Sequence, residues 1–254
     1  MANPHPNALV TGSARRIGAA IARDLGAHGF NVVVHYNRSR DEAESVAKAI
    51  RAAGGSAQTI AADLADPVAT AALMAQAETA FGPISLLVNN ASVFADDSAT
   101  DFDLGAWDRH FAVHLKAPAL LGRALAAALP AGTSGLVVNV IDQRVLRLTP
   151  RFFSYTLSKA ALWTATQTMA QAFAPSLRVN AIGPGPAVAN TRQTDQDFAA
   201  QIDGLLLKRG PALEEFGRTI RFLWETPSIT GQMITIDGGQ HLAWQTPDVT
   251  GMVE

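Results

Sequence analysis

Two side chains four residues apart, Tyr155 and Lys159, are the pair in this sequence best suited to chemistry. They stand in Phe152-Phe153-Ser154-Tyr155-Thr156-Leu157-Ser158-Lys159, which reads as the start of a helix. Residues four apart on a helix share a face, so the phenol and the ammonium lie side by side. A free tyrosine titrates near about 10 and is a poor proton donor or acceptor at neutral pH. A cation within about 4–6 Å favours the phenolate and lowers that value. A tyrosine tuned this way can hand a proton to a developing alkoxide or take one back. By itself the spacing also describes an ordinary amphipathic helix, and the residues around it must decide.

The elements that position this pair follow from a repeating pattern. Short apolar runs at 7–11, 31–36, 57–61, 84–89, 135–141, 177–182 and 232–236 read as strands. Helical patterns lie between them at 16–28, 40–53, 67–80, 104–129, 152–174 and 212–225. Val32-Val33-Val34 and Leu86-Leu87-Val88 do not alternate apolar with polar, the mark of strands buried on both faces of a parallel sheet. Strand and helix alternate over the whole length, which predicts one doubly wound α/β domain spanning 1–254.

Totals exclude several functions. The 254 residues include no cysteine, so disulfides, thiolate metal sites and a cysteine nucleophile are out. A net charge of −2 gives no reason to expect nucleic acid or an anionic membrane as partner. The apolar stretch 115–129 is interrupted by Lys116, Pro118 and Arg123, so no membrane span is expected. The first residues lack a basic and apolar leader, and a cytoplasmic location is expected.

The carboxyl ends of parallel strands line a ligand crevice. After the first strand comes Thr11-Gly12-Ser13-Ala14-Arg15-Arg16-Ile17-Gly18, opening a helix as a dinucleotide-binding loop does. Gly12 permits the tight turn and Gly18 the close packing of helix on sheet, while Arg16 replaces the usual middle glycine. The helix N-terminus offers free N–H groups to a pyrophosphate. The second strand ends in His35-Tyr36-Asn37-Arg38-Ser39-Arg40, without the acid that would hold a ribose 2′-hydroxyl. A guanidinium and a hydroxyl suit a 2′-phosphate instead, so NADPH is the expected cofactor. The competing reading is a solvated basic turn with Ser39 or Asp41 as helix cap. Asp63-Leu64 and Asn89-Asn90-Ala91-Ser92-Val93-Phe94 follow the third and fourth strands. There the aspartate can hold an adenine amino group, and the asparagines can brace the turn and meet a ribose. Asp and Asn are also ordinary strand-ending turn residues.

Asp142 ends the fifth run, thirteen positions before Tyr155 and at the same crevice edge. His110 and His114 lie four apart on a helix, but no third ligand or HExxH accompanies them, and no metal is expected. Asp96, Asp97, Asp101 and Asp103 read as a solvated loop and helix start.

TGxxxRxG, NNA, YxxxK and Asn180-x-x-x-Pro184-Gly185 occur in order, and the whole chain resembles a short-chain dehydrogenase/reductase. Most of that family has Ser at Asp142, Gly at Arg16, Gly at Ser92 and Asn at His114. With TGSARRIG, HYNRS, NNASVF, Asp142 and Gly183-Pro184-Gly185, the chain is more similar to the pteridine reductases and the related dihydromonapterin reductases. The resemblance implies a Rossmann-like seven-stranded sheet of order 3-2-1-4-5-6-7 and a four-chain assembly. It implies an NADPH-dependent reduction in which Tyr155 and Asp142 deliver a proton to a pterin nitrogen, with His114 at the position of a structural or proton-relay asparagine. Lys159 would hold the nicotinamide ribose and lower the Tyr155 pKa. Gly12, Ser13, Arg16, Ile17, Gly18, Asn37, Arg38, Ser39, Asp63, Leu64, Asn90, Ala91, Ser92, Pro184 and Gly185 would line the cofactor. Arg16, Ser92 and Phe94 would meet the substrate, Phe94 by stacking on a flat heterocycle.

The irregular stretch at about 186–211 is expected to be a substrate lid, and 241–254 a tail that packs on a neighbouring subunit. Two alternatives remain: a 3-oxoacyl-thioester or other carbonyl reductase on the same scaffold, and a non-catalytic NADPH sensor. Asp142 in place of Ser counts against the first; intact Tyr155 and Lys159 count against the second.

Overall fold

The computed structural model describes residues 5–189, 193–245 and 250. Seven strands form one parallel sheet in the order β3-β2-β1-β4-β5-β6-β7, as expected. They are β1 (Asn7–Val10), β2 (Asn31–Tyr36), β3 (Ser56–Ala61), β4 (Leu86–Asn89), β5 (Gly135–Val140), β6 (Leu177–Pro184) and β7 (Met233–Ile236). Every residue of β1, β4 and β5 is buried, which is why their sequences show no polar alternation. One face carries α1 (Arg16–Ala27), α2 (Arg40–Ala52) and α8 (Leu213–Glu225), packed on Val32, Val34, Leu86 and Val138. The other carries α3 (Pro67–Phe81), α5 (Ala117–Ala128) and α6 (Phe153–Phe173), packed on Leu9, Leu87, Val137 and Val179.

The order reverses between β1 and β4, which opens a crevice at their carboxyl ends. Buried amides brace its floor. Asn89 Nδ2 donates to Asn139 Oδ1, and Asn139 Nδ2 donates to Thr166 Oγ1. Asn180 joins β6 to the approach of β7, donating to Ile229 O and accepting from Gln232 N–H.

The structure departs from the sequence pattern in two places. The single helix expected over 104–129 is α4 (Leu104–Phe111), a π-helical turn at Ala112–Lys116, and α5. Pro118 has no N–H for the carbonyl of His114, four residues back, so the α-helical ladder cannot run through it. Within the irregular 186–211 stretch lies α7 (Asp195–Asp203), started by a reciprocal capping box between Thr194 and Asp197. No residue of α7 is buried, so it lacks the apolar stripe by which a sequence announces a helix. Positions 190–192 of that stretch lie outside the described residues, as do 246–249 and 251–254 of the tail.

Candidate active site

Helix α6 carries Tyr155 and Lys159, and a remote carboxylate fixes its first turn. Phe152, just before it, is left-handed at φ +60° and supplies no side-chain cap. Asp97, from the loop after β4, does so instead. Its two carboxylate oxygens accept from Ser154 N–H at 3.2 and 3.3 Å, and the Ser154 hydroxyl donates to the same group. Asp97 is therefore not part of a solvated loop: only 9% of it is exposed. Its neighbours do behave as surface acids, with Asp96 pairing with Arg151 and Asp103 capping α4 through Ala106 N–H.

Asp142 lies two residues beyond β5 and meets the tyrosine. Tyr155 donates its hydroxyl proton to Asp142 Oδ2 at 2.9 Å. Asp142 Oδ1 accepts from Arg144 N–H at 2.9 Å, and the Arg144 guanidinium lies 3.9 Å away. Burial raises the Asp142 pKa above the ordinary carboxylate value, against these donors and Lys159. Lys159 is 2% exposed; its Nζ donates to Val140 O at 2.8 Å and stands 5.8 Å from the Tyr155 ring centre. Burial lowers its pKa to about 8, with Asp142 opposing.

Here one expectation fails. The Tyr155 pKa is raised well above its ordinary value, not lowered, by burial first and then by the negative charge and hydrogen bond of Asp142. Lys159 donates to the Val140 carbonyl with its Nζ 5.8 Å from the ring centre, and burial with Asp142 decides the direction of the Tyr155 shift. The phenol is held protonated, as a donor must be.

His114 sits in the π-turn, buried, behind the tyrosine. Val93 N–H donates to its Nε2 at 3.1 Å, which leaves the ring proton on Nδ1 to bond Ser158 Oγ at 2.8 Å. Ser92 Oγ lies 3.0 Å from the same Nε2 and within hydrogen-bond reach of Tyr155. His110 repeats the arrangement one turn earlier, between Ala95 N–H and Ser154 Oγ. Burial lowers both histidine pKa values, so both rings are neutral. With their nitrogens committed to these bonds they do not form a metal pair, and no acid or histidine cluster suited to a metal occurs among the described residues.

Phe94, 39% exposed, stands at the mouth. Its ring centre is 4.8 Å from that of Tyr155, edge-on at 72°, and 4.8 Å from that of Phe152. Guanidiniums of Arg144 and Arg151 lie over the Phe152 ring at 4.5 and 4.9 Å.

The glycine loop lies beside this group. A Cβ on Gly12, which has φ +61°, would lie 2.7 Å from Ala91 Cα, and one on Gly18 2.4 Å from Asn90 Nδ2. Only glycine lets loop, helix and β4 close together here. Asn90 Nδ2 ties the loop by donating to Thr11 O and Gly12 O at 2.9 and 3.0 Å, and Ser13 Oγ donates to Val10 O. Buried His35 accepts from Gly12 N–H at 3.0 Å, and its other nitrogen meets Ala62 O. Ile17 packs on the adjoining core.

Arg16, also left-handed at φ +53°, turns toward the 186–211 stretch and donates to Val188 O and Ala189 O at 2.9 and 2.7 Å. An open cleft of about 320 Å3 adjoins the loop, lined by Gly12, Arg15, Asn37, Arg38, Ser39 and Arg109 among others, with no carboxylate. Ser39 precedes α2 but makes no side-chain cap, so its hydroxyl stays available. These donors fit a phosphorylated dinucleotide. Asp63 closes a turn through Ala65 N–H at 3.0 Å, with Leu64 buried beside it. Pro184 ends β6, and Gly185 N–H donates to Ile236 O at 2.9 Å.

Of the residues around the tyrosine, sequence reasoning missed Asp97, Ser154, Ser158, Phe152, Arg144 and the bracing role of His35. Only the Asp97 signal was visible, as a carboxylate in a loop, and its partner lies 57 positions on.

This fold and site define a short-chain dehydrogenase/reductase, and the family's short chain dehydrogenase model matches residues 6–200. The chain belongs to that family. FolM alternative dihydrofolate reductase 1 from Brucella suis, solved in complex with NADP, is 56% identical with TM-score 0.94, covering 98% of this chain and 100% of that one. A short chain dehydrogenase from Burkholderia cenocepacia, also with NADP, is 34% identical with TM-score 0.87, covering 92% and 97%. The 3-oxoacyl-[acyl-carrier-protein] reductase FabG of Staphylococcus epidermidis is 30% identical, covering 93% of this chain and 99% of that one.

Proposed function

We propose that this chain is an NADPH-dependent reductase of pteridines, a dihydropterin or dihydrofolate, through the site around Tyr155. The observation that carries the reading is the 2.9 Å hydrogen bond from Tyr155 to Asp142. Gly12, Ser13, Arg16, Ile17 and Gly18 would hold the cofactor pyrophosphate; Asn37, Arg38 and Ser39 the 2′-phosphate. Asp63 and Leu64 would meet the adenine. Asn90, Ala91, Ser92, Tyr155, Lys159, Pro184 and Gly185 would line the nicotinamide end. When bound, NADPH supplies the hydride.

The chain's own residues supply the proton. A pterin is reduced at a ring C=N bond, so a nitrogen, not an oxygen, must be protonated. Tyr155 holds a proton at its hydroxyl, and burial shifts Asp142 toward its neutral form, which suits the pair to proton donation. Ser92 Oγ and His114 Nε2 are hydrogen-bonded to each other beside the phenol and would suit the return of a proton to it. Phe94 provides an aromatic face for a flat ring, with Arg16 and Ser92 toward its polar edge.

Residues 1–254 are read as one domain, with 186–211 as substrate lid and 241–254 as a tail toward a neighbouring subunit. A homotetramer belongs to the same reading, supported by apolar Phe102, Leu104 and Leu157 exposed on the α4 and α6 side. So does a cytoplasmic location; among the described residues no helix is long and apolar enough to cross a membrane.

Likeness to FabG favours a second reading, a 3-oxoacyl-thioester reductase. Asp142 opposes it, because a carboxyl biased toward neutrality and engaged with Tyr155 replaces the serine that would bond a carbonyl oxygen. NADPH oxidation with dihydromonapterin, dihydrobiopterin, dihydrofolate and acetoacetyl thioester separates the readings. Turnover of the pteridines is expected. Turnover of the thioester alone overturns the proposal, and turnover of none favours a cofactor sensor.

A further inference from the structure

Among the residues lining the cleft beside the glycine loop, Arg109 alone comes from α4, and no cofactor contact has been assigned to it. Gly12, Arg15, Arg38 and Ser39 line the cleft from the glycine loop and the end of β2, and Arg109 lines it from α4. The orientation follows from the helix. His110 is buried against Ser154, so Arg109, its sequence neighbour, emerges on the exposed surface and lines the cleft. Arg15 is held by Glu42, whereas neither Arg38 nor Arg109 takes part in any ion pair of the described residues. Three guanidiniums thus line one cleft, and only that of Arg15 has a carboxylate partner, in a chain of net charge −2. Like charges facing a shared space repel, and an anion between them relieves that repulsion.

We propose that Arg109 is the second jaw of a phosphate clamp, closing on the cofactor's 2′-phosphate from the α4 side, opposite Arg38 and Ser39. The inference rests on the NADPH reading above. A guanidinium fork presents paired charge-assisted hydrogen bonds to phosphate oxygens and gains far less from a neutral 2′-hydroxyl. Two arginines from separate elements therefore discriminate more sharply than one. Because Arg109 stands on the helix that leads into His114, the clamp also joins the adenosine end of the crevice to the segment behind the tyrosine.

The test uses the full chain, NADPH and NADH titrated by nicotinamide fluorescence, and 2′,5′-ADP and 5′-AMP titrated by calorimetry. Losing a hydrogen bond to a charged group costs about tenfold or more in affinity. Arg109→Gln is expected to weaken NADPH and 2′,5′-ADP about tenfold and to leave NADH and 5′-AMP within about twofold. Arg109→Lys should recover part of the loss. No loss, or equal losses for all four ligands, overturns the clamp. Arg38→Gln separates this claim from the one beneath it. If Arg38→Gln is selective and Arg109→Gln is not, the clamp alone fails. If neither is selective, the 2′-phosphate reading of the cleft fails with it. An unchanged thermal midpoint of each variant ties lost affinity to lost contact.

Discussion

The Tyr155 hydroxyl donates to Asp142 Oδ2 across 2.9 Å, and burial raises the pKa of both groups. Burial favours the protonated form of each, while the hydrogen bond between them favours the phenol as donor and the carboxylate as acceptor. The same burial lowers Lys159 to about 8, so the ammonium balances the site less firmly than a surface lysine would.

Tyr155→Phe removes the hydroxyl and keeps the ring against Phe94. Pteridine turnover should fall by about 10²-fold or more, the usual scale of a lost general acid. NADPH affinity, read by nicotinamide fluorescence, should stay within about twofold, since positioned proton transfer rather than binding is lost. Unchanged turnover would remove the phenol from the mechanism.

Asp97→Ala should destabilise the fold by about 1–3 kcal/mol in urea unfolding, because Ser154 N–H and hydroxyl lose a buried acceptor. Turnover should fall as well, since the first turn of α6 carries Tyr155. Asp97→Asn keeps one acceptor oxygen and should retain more of both. A neutral Asp97→Ala would mean that the helix start holds without its remote cap.

His35 is buried between Gly12 N–H and Ala62 O, and burial lowers its pKa to about 4 from 6.5. Between those values the unfolded chain binds the proton and the folded chain does not. Stability therefore falls as pH drops from 6.5 toward 4, by up to roughly 3 kcal/mol in all. Urea midpoints measured across this range should show the loss, and His35→Gln should reduce it, with buried His110 and His114 keeping their share. An equal slope in His35→Gln would assign the loss to other groups.

Arg16 binds the carbonyls of Val188 and Ala189. Arg16→Gly suits the left-handed backbone and removes the tether. Amide exchange across 186–211 should speed up, and the pteridine KM should rise, without loss of thermal stability. Unaltered exchange there would show that the stretch keeps its shape without Arg16.

Much of the fold was legible because buried parallel strands read as unbroken apolar runs, as Val32-Val33-Val34 does. Tyr155 and Lys159 were legible through their four-residue spacing and Asp142 through its place after the fifth apolar run, read jointly with the other motifs. The break at the π-turn was harder to see, since Pro118 alone marked it. α7 was hidden because it buries nothing. Asp97 was misread because charge suggests solvent, and only the third dimension supplies Ser154 as its partner. The Tyr155 pKa went the other way because spacing gives proximity to Lys159, but burial and Asp142 outweigh it.

The pairing of Asp142 with Tyr155 is tested most directly by the pH dependence of kcat for dihydropterin reduction in Asp142→Asn. In the parent chain kcat should decline as pH rises through the elevated carboxyl pKa, because the neutral donor is lost. Asp142→Asn should reduce kcat by about 10²-fold or more and abolish that limb, with NADPH affinity retained. An Asp142→Asn protein that reduces dihydropterin at the parent rate, with the same pH profile, would contradict the account.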